Sequence, residues 1–296
     1  MESVRGEVVC EAGPMAELML TRVGGAIGAV IDGVGLTEET DDAIWDAIRE
    51  ALAAHHVLFF RDQPMSGEQQ IEVASRFGTP STYPMQALSG STEPSLSEII
   101  DTEDSPPTTD GWHTDVTWVE TPPVAAILTA LEVPAYGGDT MWASTAAAYD
   151  ALSDTMRSMI DGLEVRHSNW PEFCEISERK SGVEGLGERI RAAYPDVVHP
   201  LVRTHPENGR RSLYLSGSNT MKQVVGMEQA ESDALLDFLR SHMDQPKFHC
   251  RWSWSPHDVA IWDERTTNHR GLSDHYPLRR VVRRCTADGE RPYFAA

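Results

Sequence analysis

Cysteine is scarce in this 296-residue chain, and Cys10, Cys174, Cys250 and Cys285 stand far apart with no C-x-x-C pair. That excludes a disulfide framework and a cysteine zinc site. Positive charge is in deficit as well. Lys and Arg number 25 against 46 Asp and Glu, a formal charge of −21, so a polyanion would be repelled and no nucleic-acid partner is expected. An anionic substrate would need a dedicated cationic pocket. Long apolar runs are missing: no window nears the ~20 apolar residues that span a bilayer, and no basic stretch leads into an apolar one at the N-terminus. Neither membrane insertion nor export is expected, and the scattered thiols suit a reducing cytoplasm. Repeats, low-complexity tracts and linkers are also lacking. Residues 19–296 therefore read as one domain behind a poorly patterned tail at 1–18, and a homo-oligomer is the expected state.

What is present is the raw material of a mixed fold, with 40% hydrophobic and 24% charged residues, near the globular average. Ala26 to Ile31 has strand character. Between Thr40 and His55, Ile44, Trp45, Ile48, Ala51 and Leu52 make one helical stripe, and Val57 to Phe60 reads as a buried strand. Ser66 with Gln69 has capping-box form and opens a second helix. From Pro80 to Gly111 the chain reads as long loops with only Ile99-Ile100 strand-like. Ser144–Leu163 and Glu228–Met243 read as helices, the second with Leu235, Leu236, Leu239 and Met243 on one face, and the rest favours strands. Phe248, Cys250, Trp252 and Trp254 alternate with polar residues, and Val259 to Trp262 follow after a turn. The regular strand–helix alternation of a doubly wound parallel sheet is absent, so the expected class is α+β.

The chemistry concentrates in Trp112-His113-Thr114-Asp115-Val116-Thr117-Trp118. In extended backbone, residues two apart project to one side, so His113 and Asp115 could offer an imidazole nitrogen and a carboxylate to one metal ion. Alone this signal is weak. A second such pair, His242 and Asp244, falls at a helix end, where two positions differ by about 200° and do not chelate easily. The candidate third ligand is His269, just past an apolar strand. Two histidines and one carboxylate on one face suit a ferrous oxygenase, whereas zinc usually takes four tetrahedral ligands.

Arg279 to Thr286 is a β-favouring run with four arginines. Alternation puts Arg280, Val282 and Arg284 on one face and Arg279, Val281, Arg283 and Cys285 on the other, so either inward face buries two guanidinium groups. Buried arginines need anions. An exposed edge strand pairing with the acidic surface is the alternative, as is an internal salt bridge from Arg284 to an Asp or Glu.

His113-Thr114-Asp115, Gly137 to Thr140, Trp262-Asp263, Asn268-His269, His199 to Pro206 and Arg280 to Arg284 together resemble the taurine dioxygenase/TfdA family of iron(II)- and 2-oxoglutarate-dependent dioxygenases. The likeness runs from about Val23 to the C-terminus. It implies a double-stranded β-helix (jelly roll) with flanking helices, Fe(II) held by His113, Asp115 and His269, and O2 as co-reactant. It further implies that Thr140 and Arg280 hold the distal carboxylate of 2-oxoglutarate, a task that suits a planar guanidinium fork. Arg284 falls where the family often grips the anionic group of a small substrate. Where the taurine-specific pocket has a histidine and a tyrosine, this chain has Tyr83 and Gln86. Its pocket asparagine is Thr109 here, an aromatic position is Thr220, and Trp118 keeps aromatic character.

The expected activity is hydroxylation of a sulfonate, alkyl sulfate or carboxylate such as an aryloxyalkanoate, not taurine, with release of succinate and CO2. The rival is a metal-dependent hydrolase or non-redox jelly-roll protein, for which Arg280 would have no use. An acidic interaction module would leave both the ligand set and the arginines unexplained.

Overall fold

The computed structural model describes residues 18–38, 41–217 and 219–296. The expected N-terminal tail, Leu18 apart, lies outside them. Strands β1 (Met19–Arg22) and β2 (Ala29–Asp32) pair antiparallel, then come α1 (Asp42–His55), β3 (Val57–Phe60), α2 (Gly67–Ser75), α3 (Pro84–Leu88), β4 (Ser97–Asp101) and β5 (Ala125–Glu132). The middle holds β6 (Thr140–Ser144), α4 (Thr145–Asp150), α5 (Asp154–Ile160), β7 (Glu164–His167), α6 (Glu172–Ser181) and α7 (Leu186–Ala193). Next are β8 (Val197–Pro200), β9 (Val202–Thr204), β10 (Arg211–Leu213), β11 (Met221–Val224) and α8 (Gln229–Met243). The chain closes on β12 (His249–Trp252), β13 (Val259–Asp263), β14 (Thr267–Gly271) and β15 (Arg280–Ala287).

A seven-stranded sheet runs β1-β2-β3-β13-β5-β15-β4, antiparallel except for the β2–β3 pair. A smaller sheet, β12-β6-β14, faces it. Alternation along the strands builds two cores at once. Leu58, Phe60, Ile127, Val259, Ile261 and Cys285 pack outward against α1 and α2, where Trp45, Ile48 and Val73 meet them. Phe59, Leu128, Ala260, Trp262 and Val282 point inward to Trp142, Cys250 and Trp252 of the small sheet. Phe59 is stacked on Trp252, with centroids 4.1 Å apart. This sandwich is the jelly-roll core that the family resemblance implied, in the α+β class expected from the sequence pattern.

Local signals explain the ends of the elements. Asp41 caps α1, accepting from Ala43 N at 2.9 Å, and Ser66 and Gln69 form the expected reciprocal box at 2.8 and 3.2 Å. The expected helix over Ser144–Leu163 is two: Ser144 caps the first, and Ser153 turns its side-chain oxygen onto a second N-terminus and so interrupts the run. Residues 80–111 are not loop apart from Ile99-Ile100, since α3 lies among them. The largest departure is α6 and α7, which were expected to favour strands. Neither has a side-chain cap, and the apolar face of this pair turns to its own small cluster of Cys174, Leu186 and Ile190, not to the main core.

Gln70 decides which arginines face the sandwich. It is buried on α2, donating to the carbonyls of Ile127 (3.0 Å) and Arg283 (2.9 Å) and accepting from Arg283 Nε at 2.7 Å. Arg283 and Cys285 therefore lie on the helix side and Arg280, Val282 and Arg284 on the other, the face on which sequence alternation places them. Replacing Gln70 by Leu removes a donor from two carbonyls and the acceptor of Arg283 Nε, and should cost about 1–3 kcal/mol in urea unfolding. A variant as stable as the parent would show that β15 is oriented without this clamp.

Candidate metal centre

His113 and His269 form an isolated antiparallel bridge, with His113 N donating to His269 O at 3.0 Å and His269 N donating to His113 O at 2.9 Å. Residues opposite each other in such a bridge project to the same side, and the imidazole centroids are 4.2 Å apart. His113 Nδ1 lies 2.8 Å from the Gly111 carbonyl, which assigns the ring proton to Nδ1 and leaves Nε2 as a lone-pair donor. His269 is buried, and burial with His113 beside it holds its pKa well below the usual histidine range. Its imidazole is therefore neutral, as a metal ligand must be.

Asp115 completes the cluster. One donor atom from each of His113, Asp115 and His269 lies within 4.8 Å of the others. The route there differs from the continuous extended triplet that was expected. The backbone turns at Asp115, and Val116 takes φ +51°, a strained conformation for a β-branched residue, of the kind that clusters at functional sites. Burial would raise the Asp115 carboxyl, but the Arg284 guanidinium beside it more than offsets this and holds it at about 2. Arg284 Nη1 donates to Asp115 Oδ2 at 2.6 Å, while Oδ1 faces His113 Nε2 at 3.8 Å. The carboxylate thus keeps one oxygen turned to the histidines. Two neutral-capable imidazoles and one carboxylate oxygen, with no fourth protein ligand among the described residues, fit Fe(II) in its facial arrangement.

A buried network locks the two motifs together. Thr114 Oγ1 lies 3.0 Å from the carbonyls of Leu215 and Thr267 and accepts from Asn268 Nδ2. Asp263, of the Trp262-Asp263 motif, serves structure, accepting a fork from Arg265 at 2.9 and 2.7 Å and lying 2.9 Å from His205 Nε2.

Arg280 is buried on the sandwich face, yet its partners are distant: Asp101 Oδ2 at 3.5 Å and Thr140 Oγ1 at 3.4 Å. Burial lowers its pKa, with Asp101 opposing. Thr140 Oγ1 already accepts the Trp254 indole N–H at 3.0 Å, which turns its own hydroxyl proton outward. Two donors from opposite sheets therefore converge without a close acceptor, the arrangement a dicarboxylate end would satisfy. Gly138, at φ +70°, lets Arg280 lie flat against the turn, since a Cβ there would stand 3.0 Å from Arg280 Cδ.

The remaining candidates divide. Tyr83, at the start of α3, lies in the field of Arg284 and Asp115, and burial pushes its hydroxyl up to about 12. Trp118 is buried against Phe173 (5.1 Å) and Tyr194 (5.3 Å), so α6 and α7 supply the aromatic wall. Thr109 backs onto Gly271, whose N donates to the Thr109 carbonyl at 2.9 Å. Gln86 is an exposed residue bonded to Ser95, and Thr220 offers a carbonyl to Ser168. The His242/Asp244 pair does not chelate: His242 Nε2 lies 2.9 Å from the Ala148 carbonyl, and Asp244 accepts from the Trp112 indole at 2.8 Å. Three neighbours carried no site signal in the sequence: Asp101, Trp254, which entered only through a strand alternation, and Glu264. The last is a buried acid whose carboxyl burial and then Asp115 push well above the usual range.

The family described as "Taurine catabolism dioxygenase TauD, TfdA family" matches residues 20–286. The chain belongs to this TauD/TfdA family. It is an iron(II)- and 2-oxoglutarate-dependent dioxygenase. Among TauD/TfdA relatives, the alpha-ketoglutarate-dependent sulfate ester dioxygenase of Pseudomonas putida is 38% identical over 282 residues, 93% of this chain and 91% of the relative. The alkylsulfatase of Acinetobacter baylyi is 35% identical over 282 residues, 94% and 87% of the two chains. A taurine dioxygenase from Burkholderia xenovorans superposes with a TM-score of 0.77 at 34% identity, covering 94% of this chain and 93% of that one.

Two further histidines brace the metal motif of this TauD/TfdA chain. His167 Nδ1 lies 3.0 Å from Thr117 Oγ1, and His199 Nε2 lies 2.9 Å from the Val119 carbonyl. Burial lowers His167 from 6.5 to about 3 and His199 to about 4. Such bases contribute stability that is complete above pH 6.5 and lost as the pH falls toward 4, at up to about 1.4 kcal/mol per unit each. Thermal melts of metal-free protein should therefore decline from pH 7 to 4, and His167→Phe should flatten part of the slope. Stability that holds to pH 4 would show that both imidazoles are solvated.

Proposed function

We propose that this dioxygenase hydroxylates the carbon bearing a sulfate ester or sulfonate in a small organic anion. In this reading His113, Asp115 and His269 hold the iron, Arg280 and Thr140 take the far carboxylate of 2-oxoglutarate, and Arg284 takes the substrate anion. The observation that carries it is the single inward face of β15. Arg280 and Arg284 lie four residues, or about 13 Å, apart on it, and Arg284 is the one beside Asp115. Each guanidinium retains donating capacity: Arg280 has only long contacts, and Arg284 engages Asp115 through Nη1 alone among the described residues. Arg284 is also partly open to solvent, with 17% side-chain exposure.

When bound, the iron supplies the oxygen chemistry. The chain orients the reactants and supplies charge. Overall, one atom of O2 enters succinate as the keto acid loses CO2, and the other becomes a hydroxyl on the substrate carbon. A carbon carrying both a hydroxyl and a sulfate ester collapses to an aldehyde and releases sulfate. The P. putida relative, named for sulfate esters, supports that class. Tyr83 and the Trp118–Phe173–Tyr194 wall favour a skeleton larger than taurine. The described cysteines, all buried and free, favour a reducing compartment, the cytoplasm.

Succinate release from iron-loaded protein, tested with alkyl sulfates, alkylsulfonates, aryloxyalkanoates and taurine, should be fastest with an alkyl sulfate or sulfonate longer than taurine. Faster turnover of taurine would overturn the substrate assignment. Removing one partner of a desolvated charge pair costs about 2–5 kcal/mol, so Arg280→Ala should raise the apparent 2-oxoglutarate constant at least tens of fold. An unchanged constant would place the cosubstrate elsewhere.

A further inference from the structure

Asp115 is held at three points, and only two belong to the reaction as read above. Its Oδ1 faces the histidines and its Oδ2 meets Arg284. The third is its backbone N–H, which donates at 3.1 Å to Oε2 of Glu264, an acid buried on the turn between β13 and β14. The other oxygen, Oε1, accepts the Trp262 indole N–H at 2.7 Å. Trp262 in turn lies against the His269 ring, with centroids 4.8 Å apart. One carboxyl thus braces both halves of the ligand set, Asp115 directly and His269 through an aromatic ring.

The chemistry of the two contacts is specific to a carboxyl group. Two N–H donors arrive from different segments, and each needs its own acceptor. An amide of the same size offers only one, and turns an NH2 donor toward the other N–H. The brace also sits where the backbone needs it, because Val116, the residue after Asp115, is in the strained φ +51° conformation that persists only where surrounding contacts enforce it.

We infer that Glu264 is a positioning residue for the metal centre, setting metal affinity by fixing Asp115 and the Trp262 wall of His269. The inference rests on the assignment of His113, Asp115 and His269 as ligands. Loss of an outer contact of this kind typically weakens metal binding 10–100-fold. Anaerobic titration with Co(II) alone, followed by calorimetry and by the visible Co(II) absorption, should show Glu264→Gln binding at least tenfold more weakly, with a changed spectrum. Melts of the metal-free variant report any accompanying loss of stability separately from the loss of affinity. Ile48→Ala, on the far side of the large sheet, serves as the control: it should lower the melting temperature and leave Co(II) affinity unchanged. Affinity and spectrum of Glu264→Gln matching the parent would overturn the inference while leaving the ligand assignment intact. If that variant fails to fold, Trp262→Phe decides, since it removes only the indole donor and keeps a ring. It should weaken Co(II) severalfold, and parental affinity would overturn the inference. A parent protein that binds no Co(II) would bring down the ligand assignment and this inference with it.

Discussion

Two backbone hydrogen bonds, between His113 and His269 at 3.0 and 2.9 Å, join the loop after β4 to strand β14. The two imidazoles belong to segments far apart in the chain, and these bonds set their spacing directly. A reciprocal bridge fixes separation and sidedness together, which side-chain packing alone does not. The buried Thr114–Asn268 contact repeats the tie one residue away on each strand. The histidine pair of the candidate metal centre is therefore an extension of the small sheet's ladder, and its spacing derives from backbone geometry.

The large sheet contributes the opposite kind of element. Strand β15 and the residue before it carry four arginines in a strongly acidic protein, three of them turned inward from the strand, and each is handled differently. Arg283 is satisfied on the helix side by Gln70, Arg279 is an exposed partner of Glu132, Arg284 is tied to the Asp115 carboxylate, and Arg280 is left with contacts of 3.4 Å or more. A buried guanidinium so weakly partnered is unfavourable by itself. The fold tolerates it because β15 is held on both flanks, by β4 and by β5.

Much of this was legible in the sequence where a pattern has a period. The stripe of α1, the Ser66–Gln69 box, the alternation of β15 and the β13 run all appear at or near their expected places. Family motifs pointed to His113, Asp115 and His269, which the structure brings together. Legibility failed where tertiary context overrides local preference. Helices α6 and α7 lack side-chain caps and bury few residues. Asp101 reaches Arg280 only because β4 pairs with β15 in that register, and a residue's cross-strand neighbour is not written beside it in the chain. Glu264 looked like one acid among many. Its significance comes from burial, which composition does not report.

The aromatic wall beside Trp118 has a consequence of its own. It belongs to the minor cluster of Cys174, Leu186 and Ile190, with Met85, Phe173 and Tyr194 packed around it, and shares no buried residue with the clusters that fill and flank the sandwich. Sites without common partners change nearly additively. Changes in that wall therefore sum with changes in the sandwich core and do not compound them, whereas the histidine pair shares a reciprocal backbone bridge, so a shift on one side is carried directly to the other.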